Sequence, residues 1–301
     1  MRSLVSRLVV STLSTALAGL ATPVIADAER TPAGITLHAL TQTAASDAYQ
    51  LIAISAAQPG KIARSVTLSG LEAGERLLGI DYRVAYGVLF ALGSSNRVFT
   101  VDVVSGALTP VGDAAFASRL EGERFGFDFN PAADRIRIVS DRGQNLRVHP
   151  ETGAVLDYKP EQAGLQADAA LSYAADDPHA GQAPQLVAAA YTYNTEDEKL
   201  TTNFAIDAAR ATLVRQGSIE GQQPVVSPNS GQLHTVGALG VDGITDAHFD
   251  ISDVTNTALV ALSTAADARP TLYRIDLGSG KAEPMGIIGR GDKLLGLAIE
   301  P

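Results

Sequence analysis

The sequence contains no cysteine and no tryptophan, and only 5% of its 301 residues are aromatic. Without cysteine the chain has no disulfide framework, no thiol nucleophile and no thiolate metal site. It also has no G-x-S-x-G or H-E-x-x-H motif, and its five histidines show no metal-ligand spacing. We therefore assign no catalytic residue. A chain of this length still buries enough surface for a stable core without covalent cross-links.

Long apolar runs are scarce as well, and the one near the start indicates an export signal. Arg2 and Arg7 give a positive start, residues 8–20 are mostly apolar or small, and small residues follow at the cleavage position. We expect a secretory signal peptide over 1–28 and a single periplasmic or secreted domain over 29–301, with no membrane insertion after cleavage. The net charge of −10 argues against nucleic acid and anionic lipid as partners.

Glycine is plentiful, with 28 residues, and it is the last residue of a motif that recurs along the chain. The motif consists of an apolar pair, an aspartate, a short turn and a second strand ending in glycine. It occurs at Asp102, Asp207 and Asp276, and in diverged form at His149. This pattern predicts a β-hairpin in which the aspartate accepts backbone N–H groups of the turn.

A second motif precedes each hairpin and repeats at a regular interval. Three copies align on Asp81, Asp128 and Asp250: LLGIDYR (77–83), RFGFDFN (124–130) and AHFDIS (247–252). Residues 170–177 and 294–301 fit the same frame, with Ala174 and Ala298 in place of the aspartate. Most copies lie 46 to 48 residues apart, which is typical of the four-stranded blades of a β-propeller.

The two ends of the chain complete this arrangement. The last copy of this motif, 294–301, is a single strand, and the region after the predicted signal peptide supplies three more strands. We therefore predict an all-β propeller, closed by pairing of the C-terminal strand with the N-terminal blade, because a closed ring leaves no open edge strand. The count gives five blades, with six as the alternative. An insertion near 218–243 is either a long connection or contains the fourth strand of blade four, near 232–237.

Three longer stretches resemble a known family. They are FGFDFNPAADRIRIVSDRGQNLRVHPETGAV (125–155), SGQLHTVGALGVD (230–242) and LYRIDLGSGKAEPMGIIG (272–289). They are similar to domain of unknown function 4394, an exported, repeat-built bacterial family without an assigned activity. The resemblance covers roughly 35–301 and provides no catalytic residue to carry over.

The three aspartates of the repeat are the first candidate site. In a propeller the first strand of each blade lines the central channel, so Asp81, Asp128 and Asp250 are expected there. Three converging carboxylates suit a hard divalent cation, calcium or magnesium, because such ions take several oxygen ligands. The alternative is that each aspartate binds backbone N–H groups of the neighbouring blade as a structural clasp. We expect no other cofactor.

The second candidate site is the polar loop SDRGQNLR (140–147). Its donors, Arg142, Gln144, Asn145 and Arg147, suit carboxylates, phosphates or sugar hydroxyls. Alternatively, its arginines pair with nearby aspartates. His248, two residues before Asp250 on the same side of its strand, adds a possible acid–base pair.

Together these features favour a non-enzymatic binding or scaffold module for a small molecule, a glycan or a partner protein. One alternative is a metal-assisted, lactonase-like hydrolase that uses the channel carboxylates, by analogy of fold alone. The other is a purely structural surface protein.

Overall fold

The computed structural model describes residues 34–43 and 48–301. The predicted signal peptide lies outside these residues. Within them, twenty strands form five sheets arranged as the blades of a propeller. The innermost strands pack against one another in a closed ring. None of the described residues forms a helix of the length and apolarity that a membrane span requires.

The strands, numbered along the chain, are given for each blade from the channel outwards. Blade one has β20 (Lys293–Ile299), β1 (Thr36–Gln42), β2 (Tyr49–Ser55) and β3 (Gln58–Thr67). Blade two has β4 (Leu77–Arg83), β5 (Val88–Gly93), β6 (Arg97–Val101) and β7 (Leu108–Pro110). Blade three has β8 (Phe125–Asn130), β9 (Arg135–Ser140) and β10 (Asn145–Val148), followed by a single bridge between Val148 and Val155.

Blades four and five complete the ring. Blade four has β12 (Leu186–Tyr191), β13 (Asn203–Asp207), β14 (Thr212–Gln216), β15 (Gln232–Ala238) and β11 (Ser172–Tyr173). Blade five has β16 (Ile244–Ile251), β17 (Ala258–Thr264), β18 (Thr271–Ile275) and β19 (Ala282–Ile287).

The predicted closure is confirmed, because β20 pairs with β1 from Leu37–Ile299 to Gln42–Lys293. The five-blade count is also confirmed. The alternative of six blades is wrong, because β15 belongs to blade four and uses the second half of the predicted insertion.

The first strand of blade four was predicted in the wrong place. The stretch 170–177 contributes only β11, which pairs in parallel with β15 at the outer edge of the sheet. The innermost strand is β12, which follows that stretch in the chain. The prediction failed because β12 carries Ala190 where three other blades carry aspartate, so Ala174 matched the frame equally well.

The apolar core is divided among the blade interfaces. Five clusters of buried side chains each join two neighbouring blades around the ring. The hairpin turns follow the predicted chemistry. The carboxylate of Asp102 accepts the N–H groups of Val104 and Ser105, both at 2.8 Å, and His149 Nδ1 accepts that of Glu151 at 3.2 Å. The bonds from the N–H groups of Ser105 and Val104 hold the pKa of Asp102 below its usual value.

Candidate functional site

Asp81, Asp128 and Asp250 meet at the end of the channel where the innermost strands finish. One carboxylate oxygen from each lies within 4.8 Å of the others. All three residues are buried, with 3–6% of their surface exposed. We call these three residues the aspartate cluster.

Each member of the cluster also bonds to the backbone of the next blade. Asp81 accepts the N–H of Phe129 at 2.7 Å, Asp128 that of Tyr191 at 2.9 Å, and Asp250 that of Ile299 at 2.6 Å. These bonds link blade two to three, three to four, and five to one. The convergent site and the inter-blade clasp are therefore not alternatives, because the same three side chains provide both geometries.

The two innermost strands without an aspartate are compensated by their neighbours. Ala190 and Ala298 occupy the equivalent position in β12 and β20, and neither provides an acceptor for the following blade. The N–H of Ile251 is instead accepted by Asp250 itself at 2.6 Å, and that of Tyr82 by Asp81. Three carboxylates therefore contact backbone groups of all five blades.

The concentration of negative charge shifts the protonation of the cluster. Burial, followed by the charge of Asp250, raises the pKa of Asp81 well above its usual value. Burial and the charges of the other two aspartates raise the pKa of Asp128, whose carboxyl is hydrogen-bonded to that of Asp81. Burial raises the pKa of Asp250 to about 7. Two carboxylates 4.8 Å apart repel by about 3–4 kcal/mol at an effective dielectric constant of about 20, so the cluster requires either a cation or bound protons.

Tyr193 lies beside the cluster, just beyond β12. Burial raises the pKa of its phenol, and the charges of Asp81, Asp128 and Asp250 raise it further. Asp253, on the loop after β16, adds to the negative potential at Asp250. The repeat pattern did not identify either residue, because both lie beyond the ends of the strands.

The middle of the channel is almost closed. Two residues before the aspartate position, four of the innermost strands carry Gly79, Gly126, Ala188 or Gly296, and β16 carries His248. These residues surround a cavity of about 10 Å³, which is at most the space of one water molecule. The two ends of the channel are therefore separate sites.

His248 does not pair with Asp250, contrary to the acid–base hypothesis. Its Nε2 lies 3.2 Å from the carbonyl oxygen of Leu294 and 3.6 Å from a carboxylate oxygen of Asp246. Burial alone would raise the pKa of Asp246, but the charge and hydrogen bond of His248 lower it.

A second pocket opens at the other end of the channel, where the innermost strands begin. It has a volume of about 280 Å³ and takes its charged lining from four blades: Arg76, Glu123, Arg124, Asp246, His248 and Lys293. We call it the strand-start pocket. No local sequence pattern identifies this pocket, although Arg76, Arg124 and Lys293 each stand at or just before the start of an innermost strand.

The polar loop 140–147 turns out to be heavily bonded within the protein. Gln144 donates to the carbonyl of Arg119 at 2.7 Å. Asn145 is buried between Arg137 and the carbonyl of Ala169, and Arg147 forms an ion pair with Asp168 at 2.7 Å. Arg142 is exposed, and no side-chain bond from it to a described residue is seen. A ligand site on this loop stays a prediction.

The fold and the channel define a class, a five-bladed propeller with a carboxylate cluster on its axis. The chain belongs to the family described as Domain of unknown function (DUF4394), whose model matches residues 50–298. No functionally curated protein matches it.

Two solved structures are among those similar to the chain. One is a glutaminyl cyclase from Myxococcus xanthus, with 10% identity and a TM-score of 0.45 over 80% of this chain and 83% of that one. The other is TolB from Acinetobacter baumannii, with 9% identity and a TM-score of 0.42 over 89% of this chain and 67% of that one. At these values neither similarity bears on the activity of this protein.

Proposed function

We propose that this protein is an exported binding module whose propeller ring is fastened by a divalent cation at the aspartate cluster. The observation that carries the proposal is the convergence of three buried carboxylates within 4.8 Å. Some point then lies within about 2.8 Å of all three oxygens. Ca²⁺ accepts irregular oxygen coordination at about 2.3–2.6 Å, whereas Mg²⁺ demands near-ideal octahedral geometry at about 2.0–2.1 Å, so calcium is the cation that we propose.

The connectivity of the cluster supports a structural role for the ion. Because the three aspartates contact backbone groups of all five blades, a cation held by them resists opening of the whole ring. It also removes the repulsion among the three carboxylates. Backbone N–H groups already donate to at least four oxygen atoms of the three carboxylates. These bonds restrict the freedom that the carboxylates need to activate a water molecule. A binding module is therefore preferred to a metal-assisted hydrolase.

Thermal unfolding of the protein in calcium and in EDTA tests this proposal. A ligand at 100 times its dissociation constant adds about 2.7 kcal/mol to the free energy of unfolding. For a chain of this size the midpoint should rise by about 5 °C or more. Asp128→Asn removes one charge while keeping an acceptor for the N–H of Tyr191, and we expect it to lose most of the calcium-induced rise.

Asp102→Asn is the matched control, because it removes one carboxylate from an exposed hairpin turn. This variant should keep the full response to calcium. An equal response in all three proteins would place the ion elsewhere. No response in the unmodified protein would mean that protons, and not a cation, neutralise the cluster.

A further inference from the structure

The strand-start pocket carries charges that no described residue neutralises. Arg124 is paired with Asp141 at 3.2 Å, whereas His248 Nε2 lies 3.6 Å from Asp246, a contact that is an ion pair only when the imidazole is protonated. Within the described part of the chain, the side chains of Arg76, Glu123 and Lys293 form no hydrogen bond or ion pair that would neutralise them. Among the described residues the pocket therefore has two cations without a counter-ion, Arg76 and Lys293, beside the carboxylates of Glu123 and Asp246, in a protein whose net charge is −10 with its histidines neutral.

Arg124 gives the pocket a rigid donor. Its Nε bonds to Asp141, and its Nη1 donates to the carbonyl oxygen of Thr245 at 2.9 Å. The side chain thus reaches from blade three past blade four to blade five, across the mouth of the channel. A guanidinium fixed in this way suits a planar carboxylate, because little of its freedom is lost on binding.

We infer that the strand-start pocket binds a small carboxylate that also carries hydrogen-bond donors. Arg76 and Lys293 attract the carboxylate, and Glu123 accepts from hydroxyl or ammonium groups of the same ligand. The volume of about 280 Å³ is just below the range of about 300–1,000 Å³ typical of drug-sized ligands. This size suits a single sugar acid or the end of a short peptide.

The inference supplies a ligand class for the binding module proposed above, but it does not depend on the cation. The pocket and the aspartate cluster lie at opposite ends of the channel, with the closed middle between them. Ligand titrations in calcium and in EDTA therefore distinguish a failure of the pocket from a failure of the metal site.

Calorimetric titration with matched pairs of compounds tests the inference. Glucuronate is compared with glucose, and alanyl-alanine with its C-terminal amide, so that within each pair mainly the carboxylate differs. We expect the acid of one pair to bind with a dissociation constant below roughly 1 mM, and its neutral counterpart not to bind. The pair that responds identifies the source of the carboxylate, a sugar acid or a peptide end. Inorganic phosphate is the reference anion and should bind more weakly.

Two variants locate the binding site. The double variant Arg76→Gln/Lys293→Gln changes two exposed side chains and should weaken binding of the acid at least tenfold. Arg119→Gln removes one exposed arginine that does not line the pocket and should leave binding unchanged. Failure of both acids, binding of acid and neutral compound alike, or phosphate binding as tightly as the acids would overturn the inference. So would loss of binding in Arg119→Gln alone.

Discussion

Asp168 shows how much of the polar chemistry in this protein is internal. Its carboxylate has no exposed surface and forms ion pairs with Arg137 and Arg147, both at 2.7 Å. Arg137 is also buried, and its guanidinium donates to Tyr191 and Asn229 as well. This network holds the loop 140–147 against blade four. A stretch that looks like a ligand surface in the sequence therefore mainly forms structural contacts between blades three and four.

We predict that Asp168→Ala lowers the free energy of unfolding by about 3–5 kcal/mol, because it leaves the buried guanidinium of Arg137 without its counter-ion. Chemical denaturation measures the change. The control is Asp267→Ala, which breaks an ion pair with Arg269 in which both side chains are about half exposed. It should cost much less, because solvent screens the exposed pair. Equal losses in the two variants would contradict the structural role of the buried network.

Gly126 explains how the innermost strands approach one another. It lies in β8, and a Cβ atom built there would come within 2.6 Å of the backbone nitrogen of Ala189 in β12. Gly296 in β20 is equally restricted, with the backbone nitrogen of Ile80 at 2.8 Å. Close contact between neighbouring strands brings the three aspartates together, so these glycines are a condition for the site.

We predict that Gly126→Ala destabilises the protein by about 1–3 kcal/mol, because the new methyl group meets backbone that has no rotamer to change. Gly60→Ala is the control in a strand. A Cβ at Gly60 would meet nothing nearer than 3.6 Å, so its effect should stay within about 0.5 kcal/mol. Thermal melts compare the two variants. If Gly126→Ala left the stability unchanged, the innermost strands could not be in such close contact.

The strands show where prediction from the sequence succeeds and where it fails. The hairpins and the innermost strands of four blades follow from local patterns, because alternation and turn residues are read within a few positions. Blade four departs from the pattern, since β12 lacks the aspartate and an insertion separates β14 from β15. The strand-start pocket has no local signature, because its charged residues come from four blades and meet only when the ring closes.

For the molecule as a whole, ring closure and charge are coupled through the aspartate cluster. In the cation-free protein the folded-state pKa of each member is raised, so the folded state binds protons more tightly than the unfolded chain does. The stability from these carboxyls is therefore fully present below about pH 3.8 and is lost as pH rises through the folded-state value, which for Asp250 is about 7.

We predict that, in EDTA, this contribution makes the protein more stable as the pH falls from about 8 to about 5. Saturating calcium should flatten the dependence, because the cation replaces the protons at high pH. Urea unfolding at several pH values, compared with that of Asp128→Asn, isolates the contribution of the cluster. A pH dependence that is identical in EDTA and in calcium would contradict the coupling.

Calorimetric titration of the EDTA-treated protein with calcium tests our claim that one cation binds on the axis of the propeller. We predict one site per chain, lost in the triple variant Asp81→Asn/Asp128→Asn/Asp250→Asn. A control with the same change in charge, Asp102→Asn/Asp113→Asn/Asp276→Asn, should keep it. The claim is contradicted if the unmodified protein binds no calcium, or if the first triple variant is folded and binds calcium as tightly as the control.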